Sequence, residues 1–173
     1  MSIIIRRKAD TSRIATVTSV LSCSAQEKLS TEKTLSFETV LEGAMERVND
    51  ADAYIAEFEN DFYDVTKVKK ALQGGLYKIS LDCEHVSYRL SNSDNRINEV
   101  TATGTPREIL TVLLAGTEFH VGDVESNEPA TFSVTSETTR RAAILAYAAS
   151  MGFDVVFADY FVHLYLHRGS TRT

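Results

Sequence analysis

Apolar and polar residues alternate through much of the first half of the chain, and this period of two predicts β-strands. The clearest example is Thr34–Leu41, where Leu35, Phe37 and Thr39 fall on one side of the strand. Gln73-Gly74-Gly75 is predicted to be a hairpin turn, because glycine tolerates positive φ. Other strands predicted in this half are Ser2–Arg7, Ile14–Ser24, Ala53–Phe58, Asp61–Leu72 and Leu76–Leu90.

The segment Thr105–Val124 changes to a helical period and then to a strand. Thr105 suits the N-cap, Pro106 the first helical position, and Glu108 the partner position of a capping box. One apolar face follows, made of Ile109, Leu110, Leu113 and Leu114. These residues predict a helix of about ten residues that runs into a glycine-interrupted strand, with no catalytic side chain placed to act.

The chain is predicted to close with a strand, a helix and a hairpin. A strand at Ala130–Val134 precedes a helix over residues 137–151, which Gly152 is expected to end. Phe153–Ala158 and Phe161–His167 alternate again and predict two strands joined by a turn. The second half is therefore expected to combine helices with short antiparallel strands.

One polar stretch separates the two halves. Ser91–Asn98 contains Ile97 as its single apolar residue, which is typical of a loop. We therefore expect a β-rich domain of residues 1–95 and a smaller domain of residues 96–173 that contains both helices. Charge does not distinguish them, because residues 1–95 carry 12 basic and 15 acidic side chains and residues 96–173 carry 6 and 9.

Composition excludes several classes of protein. The 173 residues are 43% hydrophobic and 24% charged, which is ordinary for a globular protein. The net charge of −6 argues against a protein that binds nucleic acid through a basic surface. No apolar run approaches the roughly 20 residues that a membrane span needs, so no membrane insertion is expected. Cys23 and Cys83 are too few for a disulfide scaffold and are expected to be free thiols in a reducing cytoplasm.

Three residues on one predicted strand raise the question of a metal site. Cys83, His85 and Ser87 occupy alternate positions and therefore share a face. Zinc needs at least three protein ligands, and no CxxC pair or helical HxxxH pair supplies the rest. The favoured interpretation is a structural histidine inside a sheet.

A second pair of histidines lies on the last predicted strand. His163 and His167 share a face with Phe161 and Tyr165. Four residues of strand span about 13 Å, which is too far for both imidazoles to bind one metal. We interpret this face as exposed to solvent or to an interface.

Neighbouring charged residues are abundant but do not by themselves indicate catalysis. A glycosidase needs two carboxyl groups set across a cleft, and proximity in sequence does not provide that arrangement. Solvated turns are the favoured interpretation. The basic run Lys67–Lys70 is interpreted as a solvated strand edge that discourages unwanted pairing. The acidic pairs are Glu57 with Glu59, Asp61 with Asp64, and Asp123 with Glu125.

The chain lacks the common catalytic and nucleotide-binding motifs. No GxSxG, P-loop, GxGxxG or HExxH sequence occurs. The prediction is therefore a protein that is not an enzyme, with no catalytic residues, no cofactor or cofactor-binding residues and no metal ligands. Many short strands without a catalytic set indicate an assembly component.

Three segments carry a resemblance to a known family. The first, residues 61–90, is a hairpin whose returning strand contains Glu84, His85, Val86, Tyr88 and Leu90. The second is the Thr-Pro helix of Thr105–Val124, followed by Leu114, Gly116, Thr117, Phe119, Val121 and Gly122. The third, residues 135–170, is a helix, a glycine and a hairpin that ends in His167, Arg168 and Gly169. Their succession resembles the N-terminal module of phage tail-tip proteins, the baseplate-hub family that includes tail-associated lysins and prophage tail endopeptidases.

The resemblance implies an α+β fold in which an N-terminal antiparallel β-barrel-like hub domain precedes a small α+β domain with two helices on a short sheet. It implies a homotrimer of the full-length protein at the end of the tail tube, docked on the ring of distal tail protein. The tape-measure protein and then DNA would pass through the lumen, the DNA without specific binding. The chain would be made in the bacterial cytoplasm and reside at the virion tail tip.

The resemblance also implies that any lytic activity lies in separate C-terminal domains. Modules of this family usually continue into a second barrel-like domain, so we expect this chain to be a reduced variant or one segment of a longer gene product. Two alternatives stay open. One is a small cell-wall hydrolase or peptidase with a pocket around His85 and Cys83 or around Asp123 and Glu125. The other is a host-surface binding module that uses Tyr160, Tyr165 and His163.

Overall fold

The structure is a computed structural model that describes residues 2–28, 30 and 32–166. These residues form two compact units, which divide between Val86 and Ser87. The domain limits expected at residues 95 and 96 stay a prediction. The His167-Arg168-Gly169 motif lies outside the described residues.

The first unit consists, over its described residues, of seven strands and short 3₁₀ helices. Its strands are β1 (Ile3–Arg7), β2 (Arg13–Val17), β3 (Val20–Lys28), β4 (Glu32–Val40), β5 (Tyr54–Phe58), β6 (Asp61–Gln73) and β7 (Leu76–His85). The 3₁₀ helices Gly43–Arg47 and Ala51–Ala53 lie between β4 and β5. The strands begin and end close to the positions that the alternation predicts, apart from two corrections given below.

The seven strands form one curled antiparallel sheet in the order β2-β1-β5-β6-β7-β4-β3. Since every neighbouring pair is antiparallel, the edge strands β2 and β3 run in the same direction. Only Thr18 and Ser19 separate these two strands along the chain. The two edges of the sheet therefore come together at this link, and the curled sheet is a half-barrel.

This link divides the single strand expected over Ile14–Ser24 into β2 and β3, which corrects that prediction. The strand changes partner at Thr18 and Ser19, from β1 before the link to β4 after it. The Thr39 hydroxyl on β4 donates a 2.8 Å hydrogen bond to the Ser19 carbonyl oxygen and fixes the link there. Sequence alternation continues across such a change, so the pattern alone does not reveal it.

Alternate residues of the strands fill the inside of the curled sheet. Leu35, Phe37 and Thr39 of β4 are all buried, as their spacing predicts. Burying each large apolar side chain contributes roughly 1.5–3 kcal/mol, so this interior dominates the stability of the unit. Its other members include Ile3, Ile5, Val17, Met45, Val48, Ala56, Phe58, Val65, Ile79, Leu81 and Cys83.

The second correction concerns the strand expected over Leu76–Leu90. Strand β7 ends at His85, and Val86–Ser91 form a 3₁₀ helix. Val86 and Leu90 are both fully buried. His85, Val86 and Ser87 are buried in succession, which breaks the alternation of a strand that is buried on one face.

The second unit contains the two α-helices of the described chain. Its elements are β8 (Arg96–Ile97), β9 (Val100–Gly104), α1 (Pro106–Leu114), β10 (His120–Val124), β11 (Ala130–Val134), β12 (Thr138–Thr139), α2 (Arg140–Met151), β13 (Phe153–Ala158) and β14 (Phe161–Leu166). The described chain is thus mostly strand, and α+β describes it loosely. None of its described helices combines the length and the apolar character that crossing a membrane requires.

Helix α1 begins with the predicted capping box. The Thr105 hydroxyl accepts the Glu108 N–H over 3.4 Å, and the Glu108 carboxylate accepts the Thr105 N–H over 2.7 Å. Hydrogen bonds from the N–H and hydroxyl of Thr105 lower the pKa of Glu108. The apolar face expected for this helix is buried: Ile109, Leu110, Leu113 and Leu114.

Helix α2 starts three residues later than expected, at Arg140 rather than Glu137. Thr138 and Thr139 pair with β8 instead, and the Thr139 hydroxyl caps the helix by accepting the Ala142 N–H over 3.2 Å. β-Branched threonine suits this extended conformation better than a helix interior. The helix ends at Gly152, as predicted.

Three small sheets accompany the helices, in the orders β10-β14-β13, β11-β9 and β12-β8. β13 and β14 form the expected antiparallel hairpin. β10 pairs with β14 in parallel, however, which corrects the expectation of antiparallel strands throughout. The chain between β10 and β14 includes α2, and a parallel pairing requires a connection of that length.

Candidate functional surfaces

A cluster of polar side chains in the first unit lies where β6 begins and β7 ends. His85 is fully buried, and its Nε2 lies 2.7 Å from an Asp61 carboxylate oxygen. The other Asp61 oxygen forms an ion pair with Lys33 of β4. The edge of the His85 ring meets the Tyr63 ring, with centroids 5.6 Å apart. This cluster joins three strands from within the sheet, and an imidazole without exposed surface cannot contact a substrate.

The structure places the three candidate metal-binding residues differently from a zinc site. Cys83 and His85 lie on the buried side of β7, whereas Ser87 belongs to the 3₁₀ helix beyond it. Burial raises the pKa of the Cys83 thiol, which disfavours the thiolate that would bind a metal. Among the described residues, no group of three His, Cys, Asp or Glu side chains is arranged to hold a metal ion.

The candidate carboxylate pairs of the first unit are occupied by contacts between strands. Glu57 accepts from the Arg6 Nε over 2.7 Å, across β5 and β1. Asp64 lies 3.1 Å from the Lys8 ammonium, and Asp61 belongs to the His85 cluster. Glu57, Asp64 and Asp61 therefore each bind a different cation, which is not the geometry of two carboxyl groups facing across a cleft.

His163 packs against β10 in the second unit. Its Nδ1 accepts the Asp123 N–H over 2.9 Å. An Asp123 carboxylate oxygen lies 3.3 Å from the same Nδ1. A Cβ on Gly122 would lie 2.5 Å from the ring, so the ring position requires glycine there.

A row of rings follows the outer face of β14. Phe161, His163 and Tyr165 alternate with buried Val162 and Leu164, as the sequence predicts. The His163 and Tyr165 rings are parallel within 4°, with centroids 6.0 Å apart. The ring row extends to His120 of β10, whose centroid lies 5.7 Å from that of Phe161. His167, the other histidine expected on this face, lies outside the described residues.

Tyr160 differs from the rings on β14. Its ring lies 5.4 Å from that of Phe119, and the Arg89 guanidinium lies 5.7 Å from its centroid. Arg89 also donates to the Glu118 carboxylate over 2.8 Å. The Tyr160 ring therefore already packs against other side chains of its own unit.

The basic run Lys67–Lys70 lies on the part of β6 that does not pair with β5. β6 pairs with β5 only through Asp61–Asp64, whereas its pairing with β7 continues to Gln73. The Lys70 ammonium donates to the Glu46 carbonyl oxygen over 2.9 Å, which covers part of this edge. The position agrees with the interpretation of a protected strand edge.

The end of the same hairpin carries a feature that the alternation did not single out. Leu72, Leu76 and Tyr77 are 60%, 49% and 61% exposed around the Gly74-Gly75 turn. We call Leu72–Tyr77 the hairpin tip. The available signal was the run of uncharged residues on both sides of the glycines, which is unusual for the end of a hairpin in water.

Comparison with solved structures finds the same fold in phage tail proteins. Prophage tail protein gp18 from Listeria monocytogenes EGD-e superimposes with a TM-score of 0.71 at 12% identity, over 95% of this chain and 50% of its own. The tail protein from Neisseria meningitidis MC58 gives 0.65 at 14%, over 94% and 49%. The 43 kDa tail protein of prophage MuSo2 from Shewanella oneidensis gives 0.57 at 11%, over 94% and 55%.

The comparisons differ between sequence and structure. No family model matches the sequence, and no curated protein matches it. The chain spans about half the length of each tail protein named above. At these identities the likeness establishes the fold: the described chain has a fold that forms about half of each of these phage and prophage tail proteins.

Proposed function

We propose that this chain is a structural component of a phage or prophage tail tip, a baseplate-hub module that acts through interfaces. The observation that supports this most is the fold likeness to half of gp18, with a TM-score of 0.71. The proposed module is homotrimeric in the full-length protein and docks on the distal tail protein ring. The tape-measure protein and DNA pass through its lumen, and the DNA is not bound specifically.

The polar geometry of the chain supports an assembly role. His85 is enclosed in the sheet, and Glu57 and Asp64 bind strand cations. An enzyme of the cell-wall hydrolase class would instead need an accessible acid, base or nucleophile facing a cleft. A zymogram on cell walls separates the two functions, because clearing that disappears in His85→Ala would contradict the structural role.

Location in the particle tests the proposal directly. Antibodies against the chain, viewed by immunogold electron microscopy, are expected to label the tail end of virions. Label along the tube, label on the capsid, or none on particles that contain the protein would overturn it. Light scattering of the full gene product is expected to give the mass of a trimer, and a strict monomer at high concentration would exclude the ring.

The ring row supports a second candidate, a host-surface binding module. Phe161 is 40% exposed, and His163 and Tyr165 continue the row at a spacing of about 6 Å. Aromatic faces of this kind suit the apolar faces of sugars. A glycan array is the test, with Phe161→Ala and Tyr165→Ala expected to abolish any signal and Tyr54→Ala as the control in the other unit.

A further inference from the structure

We propose that the hairpin tip of one copy docks against the β5–β6 end of a second copy of this chain, where Glu57 and Glu59 lie. The inference rests on the proposed function, in which the chain works by self-assembly. It adds the elements that meet and the direction of the contact.

The first step is the apolar surface. Leu72 and Tyr77 face each other across the hairpin, in register with the pairs Lys70–Ile79 and Val68–Leu81. Because alternate residues share a face, the side of β7 that buries Ile79 and Leu81 in the core continues outward to Tyr77. Leu72 and Tyr77 are each about 60% exposed. The hairpin thus presents an extension of the core face to solvent, which is typical of a contact surface.

The second step is charge. Residues 65–81 contain four lysines and no acidic residue, within a chain of net charge −6, so the other residues together carry −10. Lys70 and Lys78 have contacts within their own unit, to the Glu46 carbonyl oxygen and to the Glu38 carboxylate. Lys67 and Lys69 are exposed on the opposite face. A second copy of this acidic chain is therefore electrostatically complementary to the hairpin.

The third step is the receiving surface. An open groove of about 400 Å³ lies at the β5–β6 turn, lined by Ser2, Ile4, Glu57, Phe58, Glu59 and Asn60. It combines apolar side chains with two carboxylates, of which Glu57 pairs with Arg6 and Glu59 is exposed. Its volume accommodates a leucine together with a tyrosine ring. The apolar side chains of the groove match the tip, and its carboxylates are opposite in charge to the lysines of the hairpin behind the tip.

The fourth step is distance, which makes the contact intermolecular. The groove adjoins the first residue of β6, and the tip lies at the other end of that strand. The thirteen residues of β6 span about 40 Å. A chain therefore cannot place its tip in its own groove. A contact between unlike surfaces of identical chains is head-to-tail, and it closes into a ring when the rotation between copies allows.

The test compares self-association of full-chain variants by sedimentation velocity across a concentration series. Leu72→Ser with Tyr77→Ser is expected to weaken self-association at least tenfold. The matched control is Leu21→Ser with Val112→Ser, which removes apolar side chains that are 47% and 45% exposed elsewhere and is expected to leave self-association unchanged. A tip variant that associates like the wild type overturns the docking contact and leaves the proposed function standing. A wild-type chain that stays monomeric at every concentration also overturns the docking contact, whereas the proposed function is tested by the mass of the full gene product.

A charge exchange keeps the inference testable if the tip variant does not fold. Lys69→Glu and Glu59→Lys are each expected to weaken self-association, and combining them in one chain is expected to restore it, since the charge of the hairpin and the charge at the groove are then both reversed. Circular dichroism establishes that all variants are folded. Single variants without effect, or a combined variant without recovery, overturn the contact between these two surfaces.

Discussion

At the scale of single residues, Asp61 joins more of the first sheet than any side chain the sequence singled out for chemistry. Its two oxygens contact His85 of β7 and Lys33 of β4, while its backbone begins β6. Asp61 and Lys33 are each only 13% exposed. A carboxylate first considered for catalysis therefore holds buried cationic and imidazole groups of the sheet together.

Replacing Asp61 with asparagine is expected to lower the free energy of unfolding by about 3 kcal/mol, because removing one partner of a buried ion pair leaves the other charge poorly compensated. Urea denaturation at pH 7 measures the change. The control is Glu32→Gln, whose ion pair with Lys28 joins side chains that are 35% and 70% exposed and whose loss is expected to cost less than about 1 kcal/mol. Equal losses in the two variants would contradict the importance of burial.

Gly122 is a second residue whose replacement is expected to lower the stability of the protein. Gly122→Ala is expected to cost roughly 1–3 kcal/mol, since the new methyl group would overlap the His163 ring. In a His163→Ala background the same substitution is expected to cost less than about 1 kcal/mol, because the ring is gone. Urea denaturation of the wild type, the two single variants and the double variant measures the four free energies of unfolding in this double-mutant cycle. A cost that does not change with His163 would place the strain elsewhere.

At the scale of elements, the capping box of α1 makes a pH-dependent contribution. The pKa of Glu108 is lowered in the folded state, first by the Thr105 N–H and then by its hydroxyl. A lowered pKa means that the ionised group stabilises the fold above the ordinary glutamate value of about 4.5, and that this stabilisation is lost as the pH falls through the lowered value.

We therefore expect Glu108→Gln to be less stable than the wild type at pH 7, with the difference shrinking toward pH 3. Chemical denaturation at a series of pH values measures it. Glu128→Gln, at an exposed loop position, serves as the control and is expected to show no such difference. A gap that stays constant from pH 7 to pH 3 would show that ionisation of Glu108 does not contribute.

Elements with local signals could be predicted from sequence, and those set by distant contacts could not. The start of α1 follows from Thr105, Pro106 and Glu108, and the turn at Gly74-Gly75 from two residues that tolerate positive φ, here 61° and 78°. The partner change at Thr18–Ser19 and the parallel pairing of β10 depend on strands far away in sequence. The exposure of the hairpin tip depends on where neighbouring strands stop, which no local pattern records.

The same distinction applies to the candidate residues. Alternation placed Cys83 and His85 correctly inside the sheet, and it placed Phe161, His163 and Tyr165 on an outer face. It could not show that Asp61 would meet His85, because that contact joins residues 24 apart through strand register. Burial can be inferred from a period of two, whereas partners require the topology.

At the scale of the whole molecule, charge is spread evenly along the chain, apart from the lysines of the β6–β7 hairpin. Proteins that bind DNA non-specifically have dissociation constants of roughly 1–100 μM at physiological salt. We expect this chain not to bind a DNA duplex of about 30 base pairs in that range. Fluorescence anisotropy with labelled DNA measures it, with Lys67→Glu and Lys69→Glu as the comparison. Micromolar binding that those changes abolish would identify the hairpin as a DNA-contacting arm instead.

The link at Thr18–Ser19 has a consequence for the route by which the first unit folds. Four of its strand pairs, β1–β2, β3–β4, β5–β6 and β6–β7, join neighbours in sequence and can form early as hairpins. The pairings β1–β5 and β4–β7 join residues at least 47 and 38 positions apart and carry the larger entropic cost. Since one continuous stretch supplies both edge strands, the two late pairings constrain each other. Folding of the curled sheet should therefore be a slow, concerted association of preformed hairpins.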